Sequence, residues 1–99
     1  MNVRYVLSDL AQEDLADIWE FFAQKSEARA DRQIHQILAD VQSIAEFPMM
    51  GRASDFASGL LVWKSGQHLI FYIPQDNRIY VRRVLHGHRD IEAMFADQD

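Results

Sequence analysis

Cysteine is missing from the 99 residues, which excludes disulfides, iron–sulfur clusters and thiolate zinc sites and fits a reducing compartment. Proline occurs twice and glycine four times, too rarely for a collagen-like or linker-like chain. Long hydrophobic runs are missing too. The longest, Leu60 to Trp63 and Leu69 to Ile73, are far too short to span a bilayer as a helix. The first nine residues have neither an apolar run nor a small-residue cleavage site, so a signal peptide is not expected. These absences lead to the expectation of a soluble, cytoplasmic protein without a membrane partner. What is there is ordinary globular material, 48% hydrophobic and 25% charged, enough for one domain over residues 1–99.

Positive charge is also scarce overall, and the net charge is −5. The deficit is uneven. Residues 1–48 hold nine acids and four bases, whereas residues 49–99 hold six of each. Within the second half, the span from Arg52 to Arg89 has six Arg/Lys against Asp55 and Asp76, and adds His68, His86 and His88. A general nucleic-acid binder gains affinity by neutralising phosphates and is usually basic as a whole. No direct nucleic-acid binding is therefore expected.

Hydrophobic spacing gives the element order. Val3, Tyr5 and Leu7 suit a short strand, and Ser8-Asp9 offers a helix N-cap with acids following in the first turns. From Leu10 to about Gln24 the apolar residues cover roughly half the helix circumference, with Asp14 inside that arc. A second helix, Glu27 to Glu46, has a narrower stripe of about a third. The short Gln24-Lys25-Ser26 link predicts an antiparallel hairpin, in which the broader first helix should lie centrally between the second helix and a sheet. Phe47-Pro48 ends the second helix, and residues 49 to 59 read as loop. Three strands follow: Leu60 to Lys64, Gln67 to Ile73 and Arg78 to Leu85, with turns at Ser65-Gly66 and Pro74 to Asn77. Strict alternation in the last strand groups Ile79, Val81, Arg83 and Leu85 on one face, and Tyr80, Arg82, Val84 and His86 on the other. Ile91, Met94 and Phe95 suggest a short C-terminal helix. The fold class is α+β, in the order β-α-α-β-β-β plus that helix, with a helical hairpin on an antiparallel-rich sheet.

Four segments in this order carry a resemblance. Ala11-Gln12-Glu13-Asp14-Leu15-Ala16-Asp17-Ile18 has the form A-x-x-D-L-x-x-I, and Pro48-Met49-Met50-Gly51-Arg52 the form P-x-x-G-R. Gly66 to Tyr72 reads G-x-H-x-I-F-Y, and Ile79 to Asp90 closes with R-V-L-H-x-x-R-D. From residue 7 to residue 91 the chain resembles ParE toxins of the RelE/ParE superfamily. The resemblance implies a type II toxin, a ParD-like antitoxin whose tail wraps it, DNA gyrase as target, and neither cofactor nor catalysis. The superfamily also holds ribosome-dependent messenger-RNA endonucleases of the RelE type, which remain the alternative.

The dense cluster Arg82, Arg83, His86, His88 and Arg89 is the candidate target-binding surface. As a nuclease site, its arginines would stabilise a phosphorane-like transition state while a histidine moved the 2′-hydroxyl proton. The RelE-like late tyrosine is missing, since the last one is Tyr80 inside the strand. A third account has Arg83 paired structurally and the histidines solvated. His86 and His88 lack a spaced third ligand except Asp90, so no metal is expected. His68 reads as a structural hydrogen-bonding residue. Asp14 on an apolar arc must find a partner, and a sheet arginine such as Arg83 is the natural one. Trp19 and Phe22, either core residues or anchors for an antitoxin segment, form with Arg52 the candidate antitoxin site.

Overall fold

The computed structural model describes residues 4–87, so His88, Arg89 and the expected C-terminal helix lie outside the described residues. Within that range the chain runs β1 (Tyr5–Leu7), α1 (Asp9–Ala23), α2 (Glu27–Glu46), β2 (Arg52–Ala53), β3 (Leu61–Ser65), β4 (His68–Gln75) and β5 (Arg78–His86). Each helix starts on a serine cap: Ser8 Oγ accepts from the Ala11 amide, and Ser26 Oγ from the Arg29 amide. Such a cap contributes about 1 kcal/mol by satisfying an amide that the helix leaves open.

The five strands form one sheet in the order β1-β5-β4-β3-β2. β1 runs parallel to β5, and the other pairings are antiparallel. The expected loop after Pro48 thus contains a strand: Arg52 pairs with Val62 and Ala53 with Leu61. Two residues carry too little alternation to be read from sequence. The β3–β4 turn is Gly66-Gln67, with Gly66 at φ +61 and Ser65 kept in the strand opposite His68. The β4–β5 turn is Asp76-Asn77, both with positive φ, as the type I′ form of a two-residue hairpin requires. Pro74 consequently sits inside β4. The strand tolerates it because the Ile79 amide donates to Arg4 O across β1, so the Pro74–Ile79 pair needs no proline N–H.

The helical hairpin covers one face of the sheet. Its core joins Ala11 and Leu15 of α1 and Ile37, Val41, Ile44 and Ala45 of α2 to Ile70, Tyr72, Ile79, Val81 and Val84. Contrary to the pattern-based expectation, α1 is not interposed between α2 and the sheet, because both helices pack on it directly. α2 reaches β1, β3 and β5, whereas α1 lies over β5 and β1. A wide apolar arc on α1 reflects surface left open, since Leu10 and Phe21 are 45% and 55% exposed. On the far side of the sheet, Leu60, Val62, Phe71 and Leu85 form a second cluster, with the Phe56 ring set edge-on to Phe71.

Candidate functional site

A β-bulge in β5 shapes the candidate site. Phe71 pairs with Arg83 but Tyr72 with Val81, so Arg82 is the extra residue. The bulge resets the side-chain phase that strict alternation assigned. Val84 joins Ile79 and Val81 under the helices, and Leu85 turns to the outer cluster. Arg83 also points to the helix layer, where it meets Asp14 of α1. Its Nε donates to Asp14 Oδ2 at 2.8 Å and its Nη2 to Oδ1 at 2.9 Å, while the Val84 amide donates to Oδ2 at 2.9 Å. Both side chains are buried. A bidentate pair with an extra backbone donor is the geometry that offsets desolvation of two charges. The hydrogen bond to Asp14 raises the Arg83 pKa above its usual value against the opposing effect of burial. Asp14 therefore acts as a clamp on β5 beyond the point where β1 ends.

Beside this pair lies a cleft of about 450 Å³ between α1 and the ends of β4 and β5. Ile18, Phe21 and Phe22 form its helical wall, and His68 and His86 its floor. The two imidazoles are cross-strand neighbours, with ring centroids 5.7 Å apart and planes near perpendicular. His68 is buried, with Nδ1 3.4 Å from Gln33 Nε2 of α2, and His86 Nε2 lies 3.4 Å from Gln67 Oε1. At that length both contacts are weak and orient the rings more than they bind them. Among the described residues no three His, Cys, Asp or Glu side chains converge as metal ligands.

Of the residues singled out from sequence, Arg82 is exposed and its carbonyl accepts from Ser8 Oγ. Arg83, named with it as a target contact, instead turns inward. Trp19 is half-buried and its Nε1 donates to Asp31 Oδ1 at 2.8 Å, tying α1 to α2. Phe22 is half-buried against the His68 ring. Arg52 is exposed on β2. Phe21 was missed. It is the most exposed aromatic of α1, and its place at the margin of the wide apolar arc was the available signal.

A second set of contacts ties the middle of the chain together. Tyr72 Oη donates to Pro48 O at 2.8 Å and accepts from the Gly51 amide at 2.9 Å. Burial raises the Tyr72 pKa, so its hydroxyl stays protonated and able to donate. The four motifs thus close into two latches: Asp14 of the first onto Arg83 of the last, and Tyr72 of the third onto the Pro48–Gly51 turn of the second.

The family model described as "ParE toxin of type II toxin-antitoxin system, parDE" matches residues 5–91. The chain belongs to the ParE toxin family. It is 30% identical over 95 residues to "Toxin ParE1" of Mycobacterium tuberculosis, a match covering 93% of this chain and 97% of that one. To "Toxin ParE1" of Caulobacter vibrioides it is 36% identical over 92 residues, covering 90% and 94%. A solved structure titled "Chromosomal ParDE TA system from P. aeruginosa" shares the fold, with a TM-score of 0.74 at 15% identity over 85% of this chain and 95% of that one. Membership makes this chain the toxin component of a type II toxin–antitoxin system. No helix among the described residues is long and apolar enough to cross a membrane.

Proposed function

We infer that this toxin, acting as one domain in the cytoplasm, arrests growth by binding DNA gyrase as a protein inhibitor and catalyses no reaction itself. The observation that carries the reading is the family match across residues 5–91, both latches included. The Asp14–Arg83 pair also favours inhibition over RNA cleavage, because it withdraws from the surface an arginine that a nuclease mechanism would set against phosphate. Arg82 and His86, together with His88 and Arg89, make the target contact, and Arg83 holds their strand in place. Purified toxin is expected to inhibit gyrase supercoiling and to leave messenger RNA on programmed ribosomes intact. Codon-spaced cleavage on the ribosome with normal supercoiling would replace this reading by the RelE-type endonuclease.

A ParD-like antitoxin neutralises the toxin by crossing the helical hairpin with apolar anchors at Trp19 and Phe22 and then running along the sheet, where its acidic residues meet Arg52. The half-open α1 face supports this, since apolar surface at a rim of polar residues is where partner side chains anchor. Trp19→Ala and Phe22→Ala should each weaken binding of the antitoxin tail peptide by about thirtyfold, the equivalent of a 2 kcal/mol hot spot. Isothermal titration on folded variants checks this. Unchanged affinity in both would move the antitoxin to another face.

A further inference from the structure

None of the five strands contains an aspartate or glutamate, yet they carry Arg52, Lys64, Arg78, Arg82 and Arg83. The helices are the reverse. α1 has five acids and no Lys or Arg, and α2 has four acids and two arginines. Charge is therefore split between the two layers, at −7 on the helices and +5 on the strands.

Arg83 spends its charge on Asp14. The other four cations are exposed, and among the described residues none of them makes a side-chain hydrogen bond or ion pair. Register puts them all on the side away from the helices. Arg52 lies opposite Val62 and Lys64 opposite Leu69, both partners belonging to the outer cluster. Arg78 lies opposite Gln75, in phase with Ile73 of that cluster, and Arg82 follows the phase of Tyr80, the partner of Ile73. Arg52 and Arg82 flank the Val62–Phe71 row at about three strand spacings, or about 14 Å. Lys64 and Arg78 are six residues apart along β4, about 20 Å. The four cations ring an apolar centre, over which Phe56, edge-on to Phe71, is 41% exposed.

We propose that this outer side of the sheet is the surface that takes the toxin's protein target, and that the target presents an acidic patch to Arg52, Lys64, Arg78 and Arg82. The inference rests on the reading that the toxin works by binding a protein. An apolar centre within a charged rim, with arginine and aromatic side chains together, is the anatomy of a protein–protein interface. Against a bare polyanion the overall −5 charge and the acidic helix layer work in the wrong direction. Against an acidic protein patch the split orients approach, since the sheet side attracts and the helix side repels. Lys64, Arg78 and Arg52 add to Arg82 and extend the contact across the outer side of the sheet.

The test uses Lys64→Glu/Arg78→Glu, with Lys64→Gln/Arg78→Gln as a milder pair and Lys64→Arg/Arg78→Lys as the charge-preserving control. Three quantities are measured: growth arrest in cells lacking antitoxin, affinity for purified gyrase at low and high salt, and melting temperature. Charge reversal should weaken gyrase binding at least about tenfold and flatten its salt dependence, with growth arrest lost. The charge-preserving pair should stay close to wild type, and melting temperatures should stay similar because all four positions are exposed. Full growth arrest by the folded reversal variant would overturn the proposal. Should the wild type arrest growth without binding gyrase, the gyrase reading falls, and loss of arrest in the reversal variant still supports an acidic target on this face. Tight binding of wild-type toxin to a bare DNA or RNA duplex, abolished by the reversal, would make phosphate backbone the partner and overturn the acidic-protein assignment.

Discussion

Asp14→Ala is expected to lower the unfolding free energy by about 3–5 kcal/mol, because it leaves the Arg83 guanidinium buried without its counter-charge. The Val84 amide loses its acceptor as well, and an unsatisfied buried donor costs about 1–3 kcal/mol by itself. Against a typical total of about 5–15 kcal/mol for a small domain, the variant should be largely unfolded or melt far below the wild type. Urea denaturation followed by circular dichroism measures the loss. Replacing both partners by apolar residues of similar volume, as in Asp14→Leu/Arg83→Met, should recover much of it. A loss under 1 kcal/mol in the single variant would mean that water reaches the pair and that Asp14 does not clamp β5. The variant pair also separates stability from action: if the doubly apolar protein folds and still arrests growth, Arg83 takes no direct part at the target.

Gly51→Ala should cost about 2–4 kcal/mol, the sum of overpacking and a strained hydrogen-bond pair. A Cβ at position 51 would sit 2.5 Å from Tyr72 Oη and 2.9 Å from the Val62 carbonyl oxygen. Neither neighbour can yield easily, since Tyr72 is fully buried and Val62 O belongs to the sheet backbone. Moving the tyrosine would break its bonds to Pro48 O and the Gly51 amide together. Tyr72→Phe should show a smaller loss of about 1–3 kcal/mol, as it orphans the same two groups without adding bulk. If the alanine variant melts within a degree or two of wild type, the turn has room to shift, and glycine is there for another reason.

These two latches explain what could be read from the sequence. The A-x-x-D-L-x-x-I and R-V-L-H segments supply the two halves of one buried ion pair, so the pattern that reveals the family is a pattern of folding contacts. The hairpin, four of the five strands and the pairing of Asp14 with a sheet arginine were all legible from spacing and burial logic. The bulge at Arg82 was not, because an extra residue in a strand leaves no mark on a period-two pattern until its partner strand is known. For the same reason Val84 and Leu85 were assigned to the wrong faces. The relative depth of the helices was misjudged because a broad apolar arc reads the same whether it is buried or left partly open, as at Phe21. The outward cations were visible only as a basic span. Pairing of Arg52 with Val62 and Lys64 with Leu69 is what gives them a common side.

The strand order has a bearing on when a toxin comes into being. β5 is the last strand among the described residues, yet it lies inside the sheet, between β1 and β4. Tyr5 must wait for Ile79, 74 residues later, and Asp14 waits for Arg83 over a similar interval. At about 5–20 residues per second of synthesis, the first strand and the clamp acid remain without partners for about 4–15 seconds on each nascent chain. Contacts between distant parts of a chain also form slowly once both ends exist. A chain cut short before β5 lacks the strand that joins β1 to β4, so premature termination leaves the sheet divided and Asp14 without Arg83. The position of one strand thus makes the closed fold conditional on translation through β5.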